Sequence, residues 1–138
     1  MQVIIQQEAT GCGIASVANI VQRSYAEVKA IANQMGIYAT DTALYSDSHY
    51  VRRLLTHFDW RAAPTETPFT HWDALPDTAL LAIKWHQQQG VPFWHWCVFK
   101  RIDGHSMVLD SAAYLEKNCI TDLSKLQPKW FIAVTKAN

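Results

Sequence analysis

The stretch Gln6 to Val21, QQEATGCGIASVANIV, places a cysteine where a helix should begin, with a glutamine six positions before it. Glu8 to Gly11 reads as a turn, and Thr10 or Gly11 can cap a helix starting near Cys12. Ile14, Val17, Ala18 and Val21 recur at spacings of three and four, which makes one apolar stripe. Gly13, Ala15, Ser16 and Ala18 crowd the first turns with small side chains, so another layer can approach closely. A central, buried helix is expected. A thiol at its start meets the positive end of the macrodipole and unpaired backbone N–H groups, both of which favour a thiolate. Such a thiol needs partners from elsewhere in the chain before it can do chemistry.

The 138 residues fit one domain spanning 1–138, and 49% hydrophobic content is enough for a core. Twelve basic residues balance twelve acidic ones with no Lys or Arg run, which argues against a nucleic-acid partner. No apolar stretch reaches the roughly eighteen residues of a membrane span. The start, MQVIIQQEA, has no basic segment and no long apolar run, so it does not read as a signal peptide. Cys12, Cys97 and Cys119 are odd in number and lack CxxC spacing, which suggests neither a disulfide framework nor a zinc site. Reduced thiols in a cytoplasmic protein are the expectation.

Along the chain, Val3 to Ile5 reads as a short leading strand or extended arm. Ser24, three before Glu27, opens a second helix with the form of a capping box, and Gly36 stops it. Ile37 to Tyr45 is irregular. A third helix begins near Ser46 or Asp47 and ends at His57. Ala62 to Pro76, with three prolines, is a long connection with at most a helical turn near Trp72. Strands follow at Leu80–Trp85, Trp94–Arg101, His105–Asp110 and Trp130–Thr135. Gln87 to Pro92 is a polar turn, Asp103-Gly104 a hairpin turn, and Thr121–Leu126 a short helix capped by Thr121. Helices first and antiparallel strands last make an α+β fold.

Acyl transfer by a thiol requires a base, a group that orients the base, and donors for an oxyanion. His95 opens the strand HWCVF, and Asp110 ends the partner strand MVLD. A hairpin centred on Asp103-Gly104 sets residues near 97 opposite residues near 110, so His95 and Asp110 are cross-strand neighbours to within a couple of positions. That placement lets a carboxylate hold the second nitrogen of an imidazole. The backbone N–H near Cys12 can donate to an oxyanion, and Gln6 can add a side-chain donor.

Taken together, the Gln6-to-Cys12 spacing, GCGIASVANIV, HWCVF and MVLD resemble a papain-like cysteine peptidase. More narrowly, they are similar to the bacteriocin-leader-processing, double-glycine peptidases and their stand-alone relatives. The resemblance implies a papain-like fold with N-terminal helices packed on a C-terminal antiparallel sheet. It implies Cys12 as nucleophile, His95 as base and acid, Asp110 as orienter and Gln6 as oxyanion donor. It also implies a peptide or protein substrate cut after small residues such as Gly-Gly, a peptide-exporting transporter or other protein as partner, and no metal or organic cofactor. Two positions depart from the family. Gly11 stands where an acidic residue often precedes the cysteine, and Ser111 stands where proline often follows the aspartate. They bear on the substrate more than on the chemistry.

Two other readings share this fold: a deamidase or transglutaminase-type effector acting on protein side chains, and a non-catalytic peptide-binding module. Cys97 is expected in the core, and His105 on a solvated turn. His49, His57, His71 and His86 are read as surface or locally bonded residues, with no HExxH or paired-His spacing among them. Alternation puts Trp94 and Trp96 on one face of their strand and His95 and Cys97 on the other.

Overall fold

The computed structural model describes residues 2–137. Helix α1 spans Cys12–Val21, and every residue from Cys12 to Ile20 is buried. It is therefore covered all round rather than along one stripe, as its small residues allow. Gln22 ends it in the left-handed region (φ 61°), with its N–H on the Ala18 carbonyl at 2.9 Å. The buried Asn19 side chain accepts from the Ile4 N–H (2.8 Å) and donates to the Ile4 carbonyl (3.1 Å). This bond fastens the N-terminal arm to α1. The arm is extended and pairs with no strand, which settles between the two forms expected for it.

Helix α2 spans Tyr25–Gln34 and helix α3 spans His49–His57. Half of the expected capping box forms. The Ser24 hydroxyl accepts from the Glu27 N–H at 3.1 Å, but the Glu27 carboxylate pairs with Arg23 at 2.7 Å instead of turning back. A 3-10 turn, Thr42–Ser46, lies in the segment read as irregular, started by Asp41 accepting from the Ala43 N–H. It delays α3, whose first N–H, that of His49, donates to Asp47 at 2.6 Å.

Seven strands follow: β1 Trp60–Ala62, β2 Thr67–Pro68, β3 Thr78–Gln88, β4 Val91–Ile102, β5 His105–Leu109, β6 Cys119–Ile120 and β7 Trp130–Lys136. Their order is β1-β7-β3-β4-β5-β6, with β2 also on β7, and every pairing is antiparallel. β3 and β4 run further than their apolar residues indicated. The polar segment Gln87–Pro92 is mostly strand, and the turn is only Gln89-Gly90. Both residues have positive φ (53° and 81°), as a type I′ hairpin requires. Asp103-Gly104 repeats the pattern at 52° and 79°. The expected helix at 121–126 is a 3-10 turn, Leu123–Lys125, capped by Asp122 rather than Thr121.

The sheet separates two apolar clusters. Leu80, Ala82, Trp94, Trp96, Val98 and Ile132 pack with the helices. Leu81, Ile83, Cys97, Phe99, Val108 and Phe131 pack on the other side, under Leu75, Phe69 and Trp72. Trp94, Trp96 and Trp130 meet edge to face, with centroids 5.1 to 5.6 Å apart. These tryptophans hold the sheet against α1 and so fix the level at which Cys12 meets β4.

Candidate active site

Cys12 is the first residue of α1. Thr10, expected as a capping candidate, sends its hydroxyl to the Ala39 carbonyl instead. Gly11 takes the cap position, and no side chain caps the helix. The first-turn N–H groups beside the Cys12 thiol are thus left without a side-chain acceptor, and they carry the positive end of the helix.

The thiol reaches the sheet where one strand ends. The β4–β5 ladder closes at Val98↔Leu109. Two residues further along β4, the Trp96 N–H leaves the ladder and points at Cys12 Sγ at 3.5 Å. His95 lies one residue beyond on β4, in its interior rather than at its start. Asp110 follows β5 directly, and its Oδ1 sits 2.7 Å from His95 Nε2. Asp110 is held in turn by accepting from the Ala112 N–H (3.0 Å), while the Asn118 side chain donates to its carbonyl. With Nε2 taken by the carboxylate, Nδ1 is the ring nitrogen left for the thiol.

The electrostatics follow from this placement. Burial alone would lower the His95 pKa, but the hydrogen bond to Asp110 and the Cys12 side chain outweigh it, and the value is raised to about 10. Burial would push the Asp110 carboxyl up. The His95 bond and charge, the Ala112 N–H and the Lys84 charge together hold it below the usual aspartate range. At neutral pH the pair is an imidazolium on a carboxylate, and the thiol lies beside the imidazolium.

Gln6 arrives on the N-terminal arm, which Ser111 anchors at two points. The Gln6 N–H donates to the Ser111 carbonyl (3.0 Å), and the Ser111 hydroxyl donates to Gln6 Oε1 (2.8 Å). Gln6 Nε2 donates to the Glu8 carbonyl at 2.9 Å and to the more exposed Ala9 carbonyl at 3.3 Å. Gln6 and His95 line one cavity of about 310 Å³, together with Ala9, Ala112 and Tyr114.

The structure thus brings the sequence-predicted residues Cys12, His95 and Asp110 together where the start of α1 meets β4, and Gln6 lines the cavity that His95 lines. Cys97 does not join them. It shares a face of β4 with His95 but is fully buried among Leu81 and Phe99, and burial pushes its thiol well above the usual range. His49, His57, His71 and His105 are exposed, and His86 stacks on Phe93. Among the described residues no group of three His, Cys, Asp or Glu side chains is placed to hold a metal ion, and no helix is long and apolar enough to cross a membrane. Two contributors went unread in the sequence. Ser111 was visible only as a departure from proline. Tyr50, read as part of an apolar helix face, lays its hydroxyl over Gly13 beside Cys12.

A helical layer with a cysteine at its leading helix terminus, packed on an antiparallel sheet that carries a His–Asp pair, is a papain-like α+β arrangement. Among solved structures, a double-glycine motif protease from an AMS/PCAT transporter, crystallised in complex with the leader peptide, has a TM-score of 0.60 to this chain. It is 16% identical and covers 99% of this chain, while this chain covers 91% of it. The chain thus has the fold of that protease domain. No protein-family model and no curated protein matches it.

Proposed function

We propose that the chain is a cysteine peptidase whose Cys12 attacks a peptide carbonyl. The carrying observation is the 2.7 Å His95–Asp110 pair set beside a thiol at an uncapped helix start. The Cys12 thiolate forms a C–S bond to the carbonyl carbon, and the oxygen takes the negative charge. First-turn N–H groups of α1 and Gln6 Nε2 receive that charge, the latter by giving up its longer bond to the Ala9 carbonyl. The C–N bond breaks as the His95 imidazolium gives its proton to the leaving amine. Neutral His95 then takes a proton from water, which attacks the thioester and breaks the C–S bond. The protease with the same fold was crystallised with a leader peptide, which supports a peptide substrate here, cut after small residues such as Gly-Gly.

Labelling by iodoacetamide tests the reading. Wild type is expected to react at neutral pH through Cys12 much faster than a free thiol, and Cys12→Ala to lose that reaction entirely. His95→Ala is expected to slow it on the order of 10²-fold. A Cys12 no more reactive than glutathione sinks the proposal. Mass spectrometry of digested peptides separates chain cleavage from deamidation, which adds about one mass unit without breaking the chain.

Ser111 supplies a second test. Ser111→Ala removes one neutral hydrogen bond to Gln6, so kcat is expected to fall about three- to tenfold with KM nearly unchanged. Ser111→Thr should restore it. In a Gln6→Ala background Ser111→Ala should do nothing further, and an equal loss there would mean the hydroxyl acts otherwise.

A further inference from the structure

Tyr114, which is 71% exposed, stands at the rim of the cavity that His95 and Gln6 line. The Lys84 ammonium hydrogen-bonds the Tyr114 hydroxyl and lies 5.0 Å from its ring centroid. Lys84 also belongs to a second groove of about 480 Å³, whose lining includes Trp85, Lys125, Gln127 and Lys129. The Lys84–Tyr114 contact thus joins the two spaces. Lys129 sits 4.4 Å from the Trp85 ring centroid, over its face. Among the described residues no carboxylate lines this groove. Elsewhere Arg23, Lys29, Arg52 and Arg101 each pair with an acid, whereas Lys84, Lys125 and Lys129 form no ion pair among the described residues. Asp122, close to Lys125 in sequence, spends its Oδ1 on Ser124. In a chain of zero net charge, three unpaired cations therefore face one groove. Lys84 sits at the irregularity between Ile83 and His86, in the left-handed region (φ 55°).

The chemistry fixes which half of a substrate passes here. The leaving amine must lie at His95 to receive its proton, so the chain on the leaving-group side runs out past His95 and Tyr114. We infer that the groove of Lys84, Lys125 and Lys129 is a subsite for acidic side chains of the peptide, C-terminal to the bond that is cut. This rests on the peptidase reading for its direction, and on the groove itself for its charge. Ammonium groups act as point charges for carboxylates without demanding a planar fork. A nucleic acid fits less well, because Lys129 covers the Trp85 face on which a base would stack.

Two peptides test it, one carrying Gly-Gly-Ala-Glu-Glu and the other Gly-Gly-Ala-Gln-Gln, each with a fluorophore. Fluorescence anisotropy with the full Cys12→Ala chain, at low salt, reads binding without turnover. The acidic peptide is expected to bind about tenfold more tightly. That preference should vanish in the Lys84→Gln/Lys125→Gln/Lys129→Gln variant and shrink at higher ionic strength. Equal binding of both peptides overturns the subsite. So does an unchanged preference in the triple variant, or tighter binding of a single-stranded oligonucleotide of equal charge. Acidic binding without cleavage by wild type leaves the subsite standing and removes the peptidase. Cleavage of both peptides at equal kcat/KM does the reverse.

Discussion

Asp110→Asn is expected to lower kcat/KM on the order of 10²-fold or more. The side chain keeps its size and can still accept at His95 Nε2, so the loss reports charge rather than shape. In the wild type the hydrogen bond to Asp110 is the largest single effect raising His95 to about 10, with Cys12 adding to it, against the opposing effect of burial. Without the carboxylate, burial has less to oppose it and the imidazole loses its proton far earlier on the alkaline side. The protonated His95 that serves the leaving amine then persists only to a lower pH. The pH profile of kcat/KM should show its alkaline limb moved to lower pH. A profile identical to wild type, with kcat/KM preserved, would take Asp110 out of the mechanism.

The same pair makes a stability statement with a definite sign. His95 has its pKa raised above the ordinary histidine value of 6.5, so its contribution is complete below about 6.5 and fades as pH rises toward 10. Asp110 has its pKa lowered below 3.8, so its contribution is complete above that value and fades in acid. The stability gap between wild type and Asp110→Asn should therefore be widest from roughly pH 4 to 6.5.

How much of this could be read in the sequence depended on how local each signal was. The start of α1 at Cys12 was legible, since turn residues and a periodic apolar run meet there. The His95–Asp110 pairing was legible because Asp103-Gly104 is a strong turn and hairpin register follows from its position. The structure pairs Ile102 with His105, which carries Cys97 to the level of Asp110. β1, β2 and β6 were not legible. They have two or three residues each, Pro68 lies in one of them, and only their partner strands make them strands. The bond between Gln6 and Ser111 joins positions 105 apart through an arm with no regular structure, and nothing local announces it. The lysine groove was hidden for a related reason. Lys84 and Lys129 lie far apart in sequence, and an even charge balance concealed their meeting.

Gly13→Ala is expected to destabilise the protein even though alanine is the better helix former by about 1 kcal/mol. A Cβ at Gly13 would stand 2.0 Å from the Tyr50 hydroxyl oxygen and 2.6 and 2.7 Å from two ring carbons. Tyr50 is 2% exposed and anchored on α3, so the ring cannot swing out to solvent. Relief must come from parting α1 and α3, an overpacking that costs about 1–3 kcal/mol or more. A melting temperature lower by roughly 5–10 °C follows. The Tyr50 hydroxyl and the Trp96 indole N–H are both buried without a well-formed hydrogen bond, so Tyr50→Phe alone should be nearly neutral. In the double variant it removes the nearest of the clashing atoms and should recover part of the loss. The same displacement moves the first turn of α1 away from β4 and lengthens the 3.5 Å approach of the Trp96 N–H to Cys12. Cys12 alkylation in Gly13→Ala should therefore slow well below the melting transition and recover in parallel with stability in the double variant. Normal labelling in a destabilised Gly13→Ala protein would show that the crowding is relieved at α3, leaving the thiol where it was.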